Sequence, residues 1–150
     1  MCQWFNSTFG HSTNFKEFMS NTLIKFLIKL KNASLIKQEN VFFNFNALNL
    51  EIIELLYNEG FIQSFSVQEN TNSNNFSMKI VVKLRYSSNK ALLKTLKIIS
   101  TPVRMVYLNL KNLSKLPTTK SVLFLSTSKG FLTGTECKKN QVGGVLLFII

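Results

Sequence analysis

The sequence predicts an α+β fold of two small units: an N-terminal α-β-α-β-β unit and a C-terminal unit that is mostly β-sheet with short helices. In the first half, apolar residues recur at the spacing of a helix in two segments. Apolar segments typical of strands lie around and after these two. The polar break Ser87-Ser88-Asn89 separates the two groups. We therefore expect domains at 15–86 and 87–150, in a chain that is apolar enough (45%) to bury a core.

An amphipathic helix over 15–30 opens the first unit. Lys25, Lys29 and Asn32 lie on a different face from the apolar residues, which recur at helical spacing. The apolar stripe consists of Phe15, Phe18, Met19, Thr22, Leu23, Phe26, Leu27 and Leu30.

A second helical stripe follows a short strand predicted at 41–45. Gly60 ends this helix, because glycine adopts a left-handed cap at little cost. Further strands are predicted at 61–67 and 78–86, on either side of an asparagine-rich loop at 70–75. The helical stripe comprises Leu48, Ile52, Leu55 and Leu56, and the last strand alternates Met78, Ile80, Val82, Leu84 and Tyr86 with the opposite-facing Lys79, Lys83 and Arg85.

The second unit is predicted to be mostly sheet. Pro102 can stand only at the start or edge of a strand, so it separates two predicted strands. The apolar runs at 122–126 and 145–150 are continuous, which is typical of strands buried on both faces. The strands are predicted at 92–100, 103–108, 122–126 and 145–150, with one or two helical turns at 134–141.

Positive charge is concentrated in the later part of the chain. Residues 1–69 carry five lysines and six glutamates, a net charge of −1, whereas residues 70–150 carry thirteen cations and one acid, Glu136, a net charge of +12. These values reproduce the total of +11. A field of one sign favours a polyanionic partner, either nucleic acid or an anionic membrane surface.

The cysteine content and the apolar runs exclude several classes of protein. Cys2 and Cys137 can form neither a disulfide framework nor a zinc site, so we expect a reducing compartment. The longest apolar run, 145–150, is too short to cross a bilayer. The N-terminal sequence MCQWFNSTFGHST does not look like a secretion or transit signal.

The segment SVLFLSTSKGFLTG, residues 121–134, places three hydroxyls, a cation and a glycine after an apolar strand. Ser126 and Lys129 have the S-x-x-K spacing of a serine nucleophile and a lysine base. However, the S-D-N and K-T-G elements that accompany such a pair are missing, the chain contains no aspartate, and its single histidine, His11, is distant. We therefore expect a protein that is not an enzyme and that uses no metal, cofactor or small-molecule substrate.

Binding explains this segment better than catalysis. Hydroxyls, an accessible glycine backbone and a lysine can contact the 2′-hydroxyl, base edge and phosphate that RNA presents across its shallow minor groove. The simpler alternative is an ordinary solvated hairpin turn. Two alternative functions remain. One is peripheral binding to an anionic membrane through the helix that carries Lys25 and Lys29, and the other is a hydrolase that uses Ser126.

Several motifs together resemble the small-subunit ribosomal protein eight family. The end of that family is similar to STSKG followed by QVGGVLLFII, in the order strand, STSKG, short helix, L-G-G and final strand. LKNA at 30–33 resembles its I-R-N-A, NEGFIQSFSV at 58–67 its E-E-G-[FY]-I, and STPVRMVYL at 100–108 its S-[KR]-P-G-x-R-x-Y. The matches occur in the family's order over about 15–150, and residues 1–14 have no counterpart.

The resemblance implies a structural component of the small ribosomal subunit, with an α/β unit followed by a β-rich unit. It implies binding to the central domain of small-subunit ribosomal RNA, assembly of the subunit's platform, and neighbouring ribosomal proteins as further partners. The residues that match the family's RNA contacts are Ser126, Thr127, Ser128, Lys129 and Gly130 in the loop, Lys31 and Asn32 in the first helix, and Arg104 and Tyr107 in the middle segment.

Four departures from the family pattern affect mainly the middle contact. Thr101 and Val103 replace a basic residue and a glycine, Val145 replaces a glutamate, and Thr119-Lys120-Ser121 replaces a G-x-G segment.

Residue usage bears on the compartment. The chain has two arginines against sixteen lysines, no aspartate, and many residues of A/T-rich codons. We expect a gene carried by an organelle genome, with the mitochondrion as first choice and a plastid or an A/T-rich bacterium as alternatives.

Overall fold

A computed structural model describes residues 21–70, 77–88, 90–116 and 121–150. Helices and antiparallel strands are both present, which confirms the α+β class. The predicted loop at 70–75 lies outside the described residues except for Asn70, as do residues 15–20 of the first predicted helix and Thr119-Lys120.

The first five elements follow the predicted order α-β-α-β-β. Strand β3 is central in a three-stranded antiparallel sheet of order β1-β3-β2. Along β1, Val41 and Phe43 are buried and their neighbours exposed, as the alternation of a half-covered sheet requires. The elements are α1 (Asn21–Leu35), β1 (Asn40–Asn44), α2 (Ala47–Asn58), β2 (Ile62–Asn70) and β3 (Ser77–Leu84).

Both helices form where the apolar stripes predict them. In α1 the residues Leu23, Phe26, Leu27 and Leu30 are buried in the core, so the stripe is the packed face of this helix. Helix α2 is capped by Asn46, whose side chain accepts a hydrogen bond from the Leu48 N–H at 3.1 Å. Gly60 follows its C-terminus with φ +82°, so the predicted left-handed cap is confirmed.

The remaining elements form a mainly β second part. Its five-stranded sheet has the order β6-β10-β8-β9, and β7 also pairs with β10. The buried strands predicted at 122–126 and 145–150 and the short helix predicted at 134–141 are confirmed. The elements are β4 (Tyr86–Ser87), β5 (Lys90–Ala91), a 3₁₀ turn (Leu92–Thr95), β6 (Lys97–Ile98), β7 (Tyr107–Leu108), α3 (Leu110–Lys115), β8 (Leu123–Thr127), β9 (Gly130–Thr133), α4 (Gly134–Lys139) and β10 (Gly144–Ile149).

The strand predicted at 92–100 is wrong over its first half, where the chain forms the 3₁₀ turn. Leu93 and Leu96 are both buried. Residues three apart lie on one side of a 3₁₀ turn, whereas a strand would direct them to opposite faces. The strand predicted at 103–108 is also shorter than expected, because β7 comprises only its last two residues; the Val106 carbonyl oxygen before them accepts a hydrogen bond from the Leu146 N–H of β10 at 2.9 Å.

The core runs through both parts of the chain. Phe124 stacks on Phe148 with ring centroids 4.5 Å apart, and it contacts Phe61 from the first part at 6.3 Å. Leu93 and Leu147 belong to the same buried cluster as the helix stripes. A smaller cluster, Leu113, Leu123, Leu125, Cys137 and Leu146, lies on the other face of the second sheet. The boundary near residue 87 stays a prediction.

Candidate nucleic-acid interface

The STSKG segment forms a tight hairpin between β8 and β9. Thr127 pairs with Gly130, so Ser128 and Lys129 alone make the turn. Gly130 has φ +104°, a left-handed conformation that glycine adopts without strain. The expectation of a turn, rather than the helix on which an S-x-x-K pair would act, is confirmed.

Thr127 shapes this turn with its own side chain. Its hydroxyl donates to the Gly130 carbonyl oxygen at 2.9 Å and accepts from the Lys129 N–H at 3.1 Å. The side chain is 7% exposed. These bonds hold both sides of the turn together, so we assign Thr127 a structural part in the hairpin.

The three hydroxyls of the segment are not equivalent. Ser128 and Lys129 are exposed, whereas Ser126 lies within β8 and is 2% exposed. Of the three hydroxyls, that of Ser128 therefore lies on the exposed turn, because β8 continues through Ser126 and Thr127. Among the hydrogen bonds of the described residues, none joins the Ser126 hydroxyl to the Lys129 amine, so a nucleophile–base pair is not assembled.

Two adjacent glycines let β10 approach this hairpin closely. A Cβ on Gly144 would overlap with the Ser126 carbonyl oxygen and would stand 2.9 Å from Thr127 Cγ2. A Cβ on Gly143 would stand 2.8 Å from the Leu108 carbonyl oxygen. The G-G pair was noticed in the sequence as a motif only; its effect is to bring three strand ends together.

Tyr107 reaches the same end of the sheet from the opposite side. Val145 in β10 pairs with Ser126 on one side and with Tyr107 on the other. Tyr107 is 61% exposed, so its ring is available to a ligand. The structure thus gathers Tyr107 and the hairpin at one end of the second sheet.

Arg104 lies in a separate exposed turn attached to the same sheet. Thr101 and Arg104 exchange backbone hydrogen bonds of 2.9 and 3.1 Å across this turn, and Val103 is 97% exposed at its tip. The buried Ser100 ties the segment to the sheet, since its hydroxyl donates to the Leu146 carbonyl oxygen and accepts from the Val106 N–H at 3.0 Å. Sequence reasoning did not single out Ser100.

Lys31 and Asn32 are placed elsewhere, near the end of α1. Asn32 is exposed and Lys31 is half-buried. The helix packs mainly on the 3₁₀ turn, α2 and β1. Its apolar face is occupied by the core, so the face on which the membrane alternative depends is not free.

The cations from residue 79 to the C-terminus are accessible. Among the described cations from residue 79 onward, Lys138 alone is half-buried; its amine donates to the Leu116 carbonyl oxygen at 3.1 Å, and the others are exposed. The single acid there, Glu136, is engaged in capping α4, where its carboxylate accepts from the Thr133 N–H at 3.0 Å.

One contact that the sequence did not predict comes from the first part of the chain. Glu51 in α2 directs its carboxylate to the hairpin, where Oε1 accepts a hydrogen bond from the Phe131 N–H at 3.2 Å. Burial raises the pKa of Glu51, the hydrogen bond from Phe131 lowers it, and the charge of Glu54 raises it further. No local pattern could have indicated this contact, because the two residues are 80 positions apart.

Within the described residues, no three histidine, cysteine or acidic side chains are grouped as metal ligands would be. No helix in the same ranges is long and apolar enough to cross a membrane.

Comparisons with known proteins agree with the family resemblance. A family model described as ribosomal protein S8 matches residues 21–150. Small ribosomal subunit protein uS8 of Acholeplasma laidlawii is 37% identical over 130 residues, which cover 86% of this chain and 95% of the relative. The Borrelia hermsii protein of the same name is 33% identical over 81% of this chain and 89% of its own. Small ribosomal subunit protein uS8c of Tetradesmus obliquus is 33% identical over 86% of this chain and 96% of its own.

Proposed function

The chain belongs to the ribosomal protein S8 family, and from this membership we propose that it is a structural, non-enzymatic component of a small ribosomal subunit that binds small-subunit ribosomal RNA. The relatives' names supply the ribosomal role. The observation that carries RNA binding is the β8–β9 hairpin, which presents Ser128 and Lys129 from a rigid strand pair in the basic part of the chain.

The exposed residues of the hairpin contact RNA, and the other residues hold its structure. Lys129 meets a phosphate, and the Ser128 hydroxyl meets a 2′-hydroxyl or a base edge, since both side chains are exposed. Thr127 and Gly130 hold the turn, and Ser126 is buried in the strand behind it. Because the Thr127 side chain holds the turn by two hydrogen bonds, ordering the turn on RNA should cost little conformational entropy.

Other matched residues extend the surface. Tyr107 lies at the same sheet end with an exposed ring, which can stack on a base or sugar. Arg104 adds a cation in the neighbouring turn. Lys31 and Asn32 form a second, separate contact on α1.

The RNA partner is the central domain of small-subunit ribosomal RNA, and the protein helps to assemble the platform beside neighbouring ribosomal proteins. Residue usage favours a mitochondrial ribosome with an organelle-encoded gene, and a plastid or bacterial ribosome is the alternative. Relatives such as the uS8c protein of Tetradesmus obliquus are compatible with the plastid alternative.

The proposal is tested by measuring the binding of the full chain to a transcript of the central domain and to a transcript of equal length from another domain of the same RNA. We expect a clear preference for the central domain. Lys129→Ala should weaken binding to both transcripts, and Lys139→Ala, which changes an exposed lysine on α4, is the matched control. Equal binding of the two transcripts by the unaltered chain would overturn the proposal.

A further inference from the structure

Glu51 and the β8–β9 hairpin meet across the two parts of the chain. Helix α2 packs against β9, and the carboxylate of Glu51 lies 3.2 Å from the Phe131 nitrogen, one residue beyond the turn glycine. The family match assigned no role to this glutamate.

The contact covers part of the outer edge of β9 in the second sheet. Strand β9 is the last in the order β6-β10-β8-β9, so one of its edges has no partner strand within the described sheet. Edge strands present backbone groups that must be paired or covered. The Glu51 carboxylate pairs one such group, because it accepts a hydrogen bond from the Phe131 N–H at 3.2 Å.

A second observation links Glu51 to the turn itself. A Cβ on Gly130 would stand 2.8 Å from Glu51 Oε1. The carboxylate therefore fills the space that the absent side chain of Gly130 leaves, and it limits how far the hairpin can tilt toward α2. Glycine is therefore required at position 130 for two reasons: its backbone has a positive φ, and a side chain there would collide with Glu51.

Electrostatics alone would not place a carboxylate here. The group is half-buried, another acid, Glu54, is close enough to raise its pKa, and the hairpin beside it is proposed to bind a polyanion. Burial and the charge of Glu54 disfavour the charged form and raise its pKa, whereas the hydrogen bond from Phe131 favours the charged form. Geometry therefore explains the residue better than charge.

We propose that Glu51 is a positioning residue for RNA binding: from α2 it fixes the orientation in which the hairpin presents Ser128 and Lys129. This inference rests on the proposed function. Without the contact, the hairpin samples more orientations. Binding RNA then costs more conformational entropy, because the hairpin must be ordered, and the affinity falls.

Three substitutions separate positioning from charge. Glu51→Gln removes the charge and keeps an acceptor of the same length, Glu51→Asp keeps the charge and shortens the reach, and Glu51→Ala removes both. We expect Ala and Asp to weaken binding to the central-domain transcript by about tenfold, and Gln to bind within about twofold of the unaltered chain. Glu54→Ala, an exposed site one turn along α2, is the control and should also stay within about twofold.

Hydrogen exchange of the Phe131 amide gives a readout that needs no RNA. It should accelerate in the Ala and Asp variants and not in Gln. Tighter RNA binding by both Ala and Gln would mean that Glu51 acts only as a repulsive charge, and it would overturn the proposal. Unchanged binding by Ala and Asp, with the unaltered chain still preferring the central domain, would overturn the positioning role alone. If the unaltered chain shows no preference, the proposed function fails and this inference fails with it.

Discussion

The two parts of the chain differ in charge but share a core. Residues 1–86 carry eight cations and six glutamates, a net charge of +2, and residues 87–150 carry ten cations and one glutamate, a net charge of +9. Yet Phe61 of the first part contacts Phe124 of the second, and Glu51 reaches the hairpin. Positive charge is thus concentrated in one region of the molecule, while part of the packing around that region comes from the other.

Cutting the chain at the predicted boundary tests this comparison with the largest expected effect. The fragment 87–150 should bind RNA with much of the affinity of the full chain if it folds, because it keeps most of the cations and the hairpin. However, it loses the cover over Phe124, Phe131, Leu147 and Phe148, and burying one such side chain contributes about 1.5–3 kcal/mol.

We therefore expect the fragment to unfold at a much lower temperature than the full chain, as measured by circular dichroism. Adding the fragment 21–86 is the control and should raise that temperature. A fragment 87–150 that unfolds at the temperature of the full chain would show that the shared core is not needed.

Gly130→Val should have the next largest effect. Valine at φ +104° is strained, and its Cβ would collide with the Glu51 carboxylate. We expect a loss of about 2–3 kcal/mol in the free energy of unfolding and a loss of specific RNA binding. Ser128→Val, which adds the same side chain at an exposed position of the turn without a positive φ, is the stability control. Equal stability of the two variants would contradict the geometry assigned to Gly130.

Ser128 and Ser126 should respond differently to alanine. Ser128→Ala should weaken specific RNA binding by about 1 kcal/mol, near fivefold, because it removes one exposed hydrogen-bonding group. Ser126→Ala should change RNA affinity less, since Ser126 is 2% exposed within β8. Affinities measured beside thermal unfolding distinguish lost contact from lost structure. A larger loss of affinity from Ser126→Ala at unchanged stability would place the buried serine in direct contact with RNA.

The smallest effect concerns pH. A raised pKa means that the folded protein holds the Glu51 proton more tightly than the unfolded chain does, so this contribution to stability is present at low pH and lost as pH rises through the folded pKa. Glu54 on α2 faces this group, Lys129 is in the adjoining turn, and β9 carries no titratable side chain. The unfolding temperature of Glu51→Gln relative to the unaltered chain should therefore rise between about pH 4 and pH 7.

Glu54→Gln is the matched control and should show a weaker trend with pH. If the unaltered chain gained stability over Glu51→Gln as pH rises, the hydrogen bond from Phe131 would outweigh burial in setting the pKa.

Much of the fold could be predicted because the spacing of apolar residues along the sequence reflects which face of a helix or strand is buried. The stripe Leu23, Phe26, Leu27 and Leu30 specifies the buried face of α1, and the continuous run in β8 specifies a strand covered on both faces. The 3₁₀ turn at Leu92–Thr95 was missed because a short apolar run does not distinguish a strand from a turn.

The candidate site could be predicted only in part. The turn and its glycine follow from local chemistry, since Lys129-Gly130 ends an apolar strand. The burial of Ser126 depends on β10 passing alongside, and the Glu51 contact joins residues 80 positions apart. Such long-range pairings leave no periodic signal in a single sequence.

The claim that the second part makes the main RNA contact and that the first part orients it is tested most directly by the salt dependence of RNA binding. Two exposed lysines are changed to glutamine in each region of the full chain, Lys111 and Lys129 in one variant and Lys25 and Lys37 in the other. Each lysine that contacts a phosphate contributes about one to the slope of log affinity against log salt. We expect a shallower slope for the Lys111/Lys129 variant and an unchanged slope for the Lys25/Lys37 variant. The reverse result would contradict an RNA contact made mainly by the second part.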